Sequence, residues 1–215
     1  MPFFYRHIIS KEAQLAIWQI EESEDWFRER LILSDLEAQQ LEIIKGHRRL
    51  EWLAVRHLTS QLLGGQSGAM VKDEFGKPHL LHIPLKISVS HSHGLAATIL
   101  AKKQAGIDIQ KIVPKIERIA HRLLREEERE VLQPATRIPH LHVYWGAKEA
   151  LYKAYGRREL DFSKNILIEP FQFDLEKGTC TGRVLKEEFD SWFDIHYQQM
   201  EDYILVYALE TNRVF

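Results

Sequence analysis

Twice along this chain a long helical stretch is followed by a run of short strand-like segments, and that order confines the fold. The first helical stretch opens at Ser34, three residues before Glu37. That spacing lets the two side chains satisfy each other's orphan backbone amides at a helix start. Leu36, Ile43, Ile44, Leu50, Leu53, Leu58 and Leu62 recur at helical spacings, and Gly64-Gly65 supplies a stop, so one long helix is expected here. Strands are expected over 85–90, 95–101 and 105–110, with Gly94 and the polar Lys102-Lys103-Gln104 as hairpin breaks. After Pro114 the stretch 116–132 turns helical, its charge run Arg125 to Glu130 reading as a solvated face, and Pro134 and Pro139 bracket a loop. A third strong helix is expected from His140 to Tyr155, ended by Gly156; strands are expected after it at 166–173, 179–185, 192–199 and 203–210. A buried strand over 15–20 and a short acidic-aromatic helix over 24–31 precede all of this.

Strands joined mainly as hairpins, beside separate helices, define the α+β class. The outline predicts two similar α+β halves, 1–104 and 105–215, although no residue-level repeat is visible. The seam near Gln104 to Val113 lies where a ligand cleft between halves is common.

Composition narrows the partners. The chain has 215 residues, 45% hydrophobic, enough for one large core or two small ones. Its 29 basic and 31 acidic residues leave a net charge of −2, so no global field favours nucleic acid or an anionic membrane. One cysteine, Cys180, excludes an intramolecular disulfide and a multi-cysteine zinc site, and fits a reducing compartment. The start lacks the basic and long apolar regions of a secretion signal, and no apolar run approaches a membrane span. A soluble cytoplasmic protein is expected.

Three polar clusters carry the chemistry. In Gly106-Ile107-Asp108-Ile109-Gln110, strand alternation sends the isoleucines to one face, toward a core, and Asp108 and Gln110 together to the other. Trp145, Glu149 and Lys153 share one helix face at i, i+4 and i+8. Alone, Glu149 and Lys153 would be an ordinary surface pair; beside Trp145, Leu151 and Tyr152 they are expected in a cleft, where charges need a partner such as a metal or phosphate. Ser90-His91-Ser92 offers hydroxyls and imidazole to phosphate oxygens, and Lys77, in the turn Gly76-Lys77-Pro78, can reach a phosphate as a point charge. The rival zinc reading takes His91 and His93, with His121, His140 or His142 as a third ligand.

In order and separation these clusters resemble the Sfp-type 4′-phosphopantetheinyl transferases, whose patterns look like G-K-P, S-H-S, G-[IV]-D-[IL]-E and W-x-x-K-E-x-x-x-K. The matching residues are Gly76-Lys77-Pro78, Ser90-His91-Ser92, Gly106 to Gln110, and Trp145, Lys148, Glu149 and Lys153. The resemblance implies two α+β halves with coenzyme A between them. It implies transfer of the phosphopantetheine arm to a serine of an acyl or peptidyl carrier protein, release of 3′,5′-ADP, and a monomer. Carried over by position, Asp108 and Glu149 would bind Mg²⁺, with Glu149 also a base on the carrier serine and Lys153 on the phosphate under attack. Ser90 and His91 would hold coenzyme A phosphates, Lys77 would lie near the adenine end, and Arg48 and Arg56 would add basic contacts from the first helix. The departure is Gln110, where the family pattern most often has Glu as a further metal ligand; Gln keeps a carbonyl oxygen, to meet the metal directly or through water, but loses the charge. The alternative function is a non-catalytic module that holds carrier proteins or coenzyme A.

Overall fold

The computed structural model describes residues 4–211. The chain divides into two compact units, Met1–Lys102 and Lys103–Phe215. The class is α+β, with an all-antiparallel sheet in each unit.

The first unit contains β1 (Tyr5–Ser10), β2 (Ala13–Gln19), α1 (Glu24–Arg28), α2 (Asp35–Ile43), α3 (Arg48–Leu62), β3 (Met70–Lys72), β4 (Pro78–Leu80), β5 (Lys86–Ser92) and β6 (Leu95–Ala101). Its sheet order is β1-β2-β6-β5-β4-β3. Helix α3 lies on β2 and β6, and Trp18, Phe27, Leu41, Leu53, Leu58, Ile87 and Leu100 fill the core. The Ser34–Glu37 capping box forms as expected. The single long helix does not. It breaks between α2 and α3, where Ile44 is extended and Gly46 takes φ +64°. The carbonyls at the break, that of Ile44 and that of Leu41, which also takes the Ile44 amide, accept from the Arg49 guanidinium, which also grips Glu24. One arginine thus replaces the lost helical bonds. Edge strand β1 is half exposed throughout, which muted its sequence signal.

Between β5 and β6 the chain turns through His93 and Gly94, both at positive φ, as a tight type I′ hairpin requires. The expected hairpin at residues 102–104 is absent. The next strand, β7 (Ala105–Lys111), pairs with the last strand of the chain in the second sheet. A polar break marks where a strand ends, while its partner is chosen by burial and register.

The second unit continues with α4 (Glu117–Leu123), α5 (Glu126–Glu130), α6 (Arg137–Tyr155), β8 (Ile166–Ile168), β9 (Lys177–Lys186), β10 (Phe189–Met200) and β11 (Tyr203–Thr211), in sheet order β7-β11-β10-β9-β8. The helical stretch over 116–132 is split by an extended Leu124. Pro139 falls inside the first turn of α6, where its missing N–H costs nothing. Strand β8 stops at Ile168, two residues before Pro170, which cannot donate to a ladder. Gly156 ends α6 at φ +73°. Tyr144, Leu151, Ile166, Phe193, Ile195 and Val206 lie in this unit's core.

With β1 set aside, the two sheets have the same path. A first strand (β2 or β7) leads through helices into a four-strand meander whose last strand returns beside the first.

Candidate active site

Helix α6 lies directly on β7 and β11. Two glycines permit this. A Cβ on Gly106 would overlap the Ala150 carbonyl, so only glycine lets the helix backbone rest on the strand. A Cβ on Gly146 would sit 2.6 Å from Val206 Cγ2 and 2.9 Å from Gln110 Nε2. Alternation along β7 turns Gly106, Asp108 and Gln110 toward α6. Ile107 and Ile109, 0% and 2% exposed, take the other face and lie outside the helix-sheet core.

The close approach brings the acids and the lysine together. Lys153 Nζ donates to Asp108 Oδ1 at 2.8 Å and to the Ile107 carbonyl at 2.9 Å. Asp108 is 7% exposed, and Glu149 lies half-buried one helical turn before Lys153. Burial, and then the negative charge of Asp108, push the Glu149 carboxyl above the usual range, with Lys153 pulling the other way. Two carboxylates therefore face one ammonium, and negative charge is in excess. The donor set fits a hard divalent cation that takes carboxylate oxygens and fills its remaining positions with phosphate and water. Among the described residues no group of three or more His, Cys, Asp or Glu side chains is placed to hold a metal ion.

Gln110 is engaged at both ends of its side-chain amide. Its Nε2 donates to Asp108 Oδ2 at 3.0 Å and to the His142 carbonyl at 3.1 Å, and its Oε1 lies 2.7 Å from His142 Nδ1. The sequence offers His142 only as a possible zinc ligand. Its position seven residues before Glu149, on the same helical stripe, was the available signal.

Lys148, inside the same motif, is absent from this cluster. It is fully buried, 2.8 Å from Glu128, and donates to the carbonyls of Phe162 and Ile166. Glu128 accepts the amides of Arg125 and Ile168 in turn, so the pair fastens α5 and β8 to α6.

The other expected residues lie in the first unit. Lys77 sits in a turn whose Asp73 carboxylate accepts the amides of Phe75 and Lys77, with Gly76 at φ +89°. Ser90 and His91 are neighbours on β5 and take opposite faces: Ser90 is buried, and the half-exposed His91 ring pairs with Glu51 at 3.2 Å. Arg48 opens α3 and is exposed. Arg56 is buried, bonds Glu37 at 3.0 Å and stacks over Trp52, and burial lowers its pKa to about 10. Its geometry is that of a structural ion pair. Of the histidines invoked for zinc, His142 is held by Gln110 and Val113, and His140 is packed among Tyr144, Phe171 and Phe173.

An antiparallel α+β unit that holds two acids and a lysine between a helix and its first strand defines a cation-compatible site suited to phosphate chemistry. Residues 104–208, just under half of the chain, match the family model of the 4′-phosphopantetheinyl transferase superfamily. The matched stretch contains Asp108, Gln110, His142, Glu149 and Lys153, and the chain resembles that superfamily across it. The match supports a transferase of phosphopantetheine groups. No curated protein matches the chain.

Proposed function

We propose that the chain transfers the 4′-phosphopantetheine arm of coenzyme A to a serine hydroxyl of an apo acyl or peptidyl carrier protein. The observation that carries this reading is the Asp108–Lys153–Glu149 cluster, an acidic pair with one ammonium under a matching family model. The serine oxygen forms a bond to the pyrophosphate phosphorus that bears the pantetheine arm. The bond from that phosphorus to the bridging oxygen breaks, and 3′,5′-ADP leaves. The serine proton passes to Glu149, which α6 holds beside Asp108 and Lys153. Lys153, held in place by Asp108 and the Ile107 carbonyl, faces the charge that grows on the phosphoryl oxygens. Magnesium held by Asp108 and Glu149 would neutralise the pyrophosphate oxygens.

The half from 105 to 215 then carries the chemistry, and the half from 1 to 104 supplies coenzyme A contacts through Lys77, Ser90, His91 and Arg48. Arg56 stays with Glu37 and is left out of the ligand set. Two halves in one chain suit a cytoplasmic enzyme that acts as a monomer.

Incubation of the purified chain with coenzyme A, Mg²⁺ and a panel of apo carrier proteins should add the mass of one phosphopantetheine to a carrier. Glu149→Gln should reduce that rate by about 10²-fold or more, the usual worth of a positioned base. No mass gain on any carrier with any divalent metal, together with no binding of coenzyme A, would sink the reading. Multiple turnovers by the wild type would eliminate the non-catalytic module.

A further inference from the structure

On α6, His142, Gly146, Glu149 and Lys153 stand at i, i+4, i+7 and i+11, a single stripe facing β7. The first of these has no part in the proposed transfer, yet it connects through Gln110 to Asp108. For a neutral His142 ring the donors and acceptors around it allow one arrangement. Gln110 Nε2 faces two oxygens, Asp108 Oδ2 and the His142 carbonyl, so this end of the amide must be the donor. Gln110 Oε1 then faces His142 Nδ1, which must carry the proton. His142 Nε2 is left as an acceptor and takes the Val113 N–H at 2.9 Å. The Val113 carbonyl, 3.1 Å from the same nitrogen, takes no hydrogen bond from His142 in this tautomer and accepts the Ile116 amide instead.

Three donors thus point the same way, from Val113 N–H to His142, from His142 to Gln110, and from Gln110 to Asp108. Aligned bonds of this kind polarise and stiffen one another. Lys153 holds the opposite oxygen of Asp108, so the carboxylate is gripped at both ends.

We propose that His142 and Gln110 are positioning residues that orient Asp108 for a divalent cation, in place of a third acidic ligand. The proposal rests on the reading of the cluster as a cation site. A glutamate at 110 would lose the N–H that Asp108 accepts and bring a second negative charge to within about 3 Å of it, the separation at which like-charged carboxylates resist joint ionisation. A histidine-held amide removes that conflict. It fixes the acid in one rotamer, at the expense of one charge in the coordination shell. Groups that orient metal ligands from outside the shell are typically worth 10–100-fold in metal affinity.

The test is Mn²⁺ binding to the full chain, followed by electron paramagnetic resonance, which needs no substrate and no turnover. His142→Leu should weaken Mn²⁺ binding about tenfold or more. His142→Asn places an amide N–H where Nδ1 stood and should recover most of the loss. Thermal melting of both variants separates positioning from folding, because the Asn variant also lacks the acceptor for Val113 and gains no stability from its rescue. Equal losses in the two variants would overturn the proposal, as would wild-type affinity in a folded His142→Leu chain. Absence of Mn²⁺ binding by the wild type would overturn it too. If His142→Leu instead melts before it can be titrated, ¹⁵N NMR of the wild type decides. A protonated Nδ1 and a slowly exchanging Gln110 amide support the clamp, and a protonated Nε2 rejects it. Intact Mn²⁺ binding with no carrier modification would sink the transferase reading and leave this one standing.

Discussion

A buried histidine outside the stripe of His142, Gly146, Glu149 and Lys153 sets a pH dependence on stability. His140 is 1% exposed, neither ring nitrogen has a hydrogen-bond partner, and the ring stacks on Phe173 at 4.6 Å and on Tyr144 at 5.1 Å. Burial holds its pKa down at about 4, against an ordinary value of 6.5. Between those two values the unfolded chain binds a proton that the folded chain refuses. Stability is therefore whole above pH 6.5 and falls as pH drops toward 4, by roughly 3 kcal/mol in all. His140→Phe keeps the ring stack and removes the proton site, so its urea midpoint should decline much less between pH 7 and pH 4.5. A decline parallel to that of the wild type would contradict this origin. Residue chemistry of this kind was hidden in the sequence. His140 and His142 stand two apart with similar neighbours, and only the fold sends one into an aromatic cluster and the other to Gln110. Asp108, Glu149 and Lys153 were legible because strand and helix periodicity alone put each on a shared face.

Contact between α6 and β7 is the structural requirement for the site, and it rests on glycine. Gly106→Ala would drive a methyl into the Ala150 carbonyl, backbone that no rotamer change can move. It should cost about 3 kcal/mol, the upper part of the overpacking range, and should separate Lys153 from Asp108. Circular dichroism melts would report the first effect and Mn²⁺ binding the second; an unchanged melting temperature would show that the helix can lift away freely. The Lys148–Glu128 pair holds the other side of the same helix. Lys148→Met leaves a buried carboxylate without its countercharge and should cost about 3–5 kcal/mol, and adding Glu128→Gln should return much of it. Equal stability in the single and double variants would rule out charge imbalance as the cause. Lys148 belongs to the sequence motif that suggested chemistry, yet it is structural. A motif groups residues by spacing along the chain, whereas a helix deals its members to different faces. The break between α2 and α3 escaped for a similar reason: the leucine periodicity runs through it, and the carbonyls are repaired by Arg49 from the far side of the break.

At the scale of the whole chain, the order of the longer strands and helices was readable, while β1, the short β3 and β4, and the pairing were not. The identical path of the two sheets depends on β6 returning to β2 and β11 returning to β7, contacts between residues far apart in sequence that no local pattern encodes. That return has an electrostatic consequence. In the unfolded chain Asp108 and Glu149 lie 41 residues apart and do not feel each other; folding sets them together against one ammonium. Part of the folding free energy is spent holding that imbalance, and a cation that binds only the folded state returns it. Mg²⁺ at about a hundred times its dissociation constant should stabilise the chain by about 2.7 kcal/mol. If both units melt together, that corresponds to a rise of very roughly 5–10 °C in Tm. Glu149→Gln should behave in the opposite sense on both counts. Without metal it relieves the repulsion and melts no lower than the wild type, and with metal it gains little. Calorimetry with and without Mg²⁺ checks both halves of the expectation. An equal metal-induced rise in the wild type and in Glu149→Gln would place the stabilising ion elsewhere on the chain. Two separate transitions, of which only one moves with Mg²⁺, would show that the two units melt independently and that the cation is held by one of them alone.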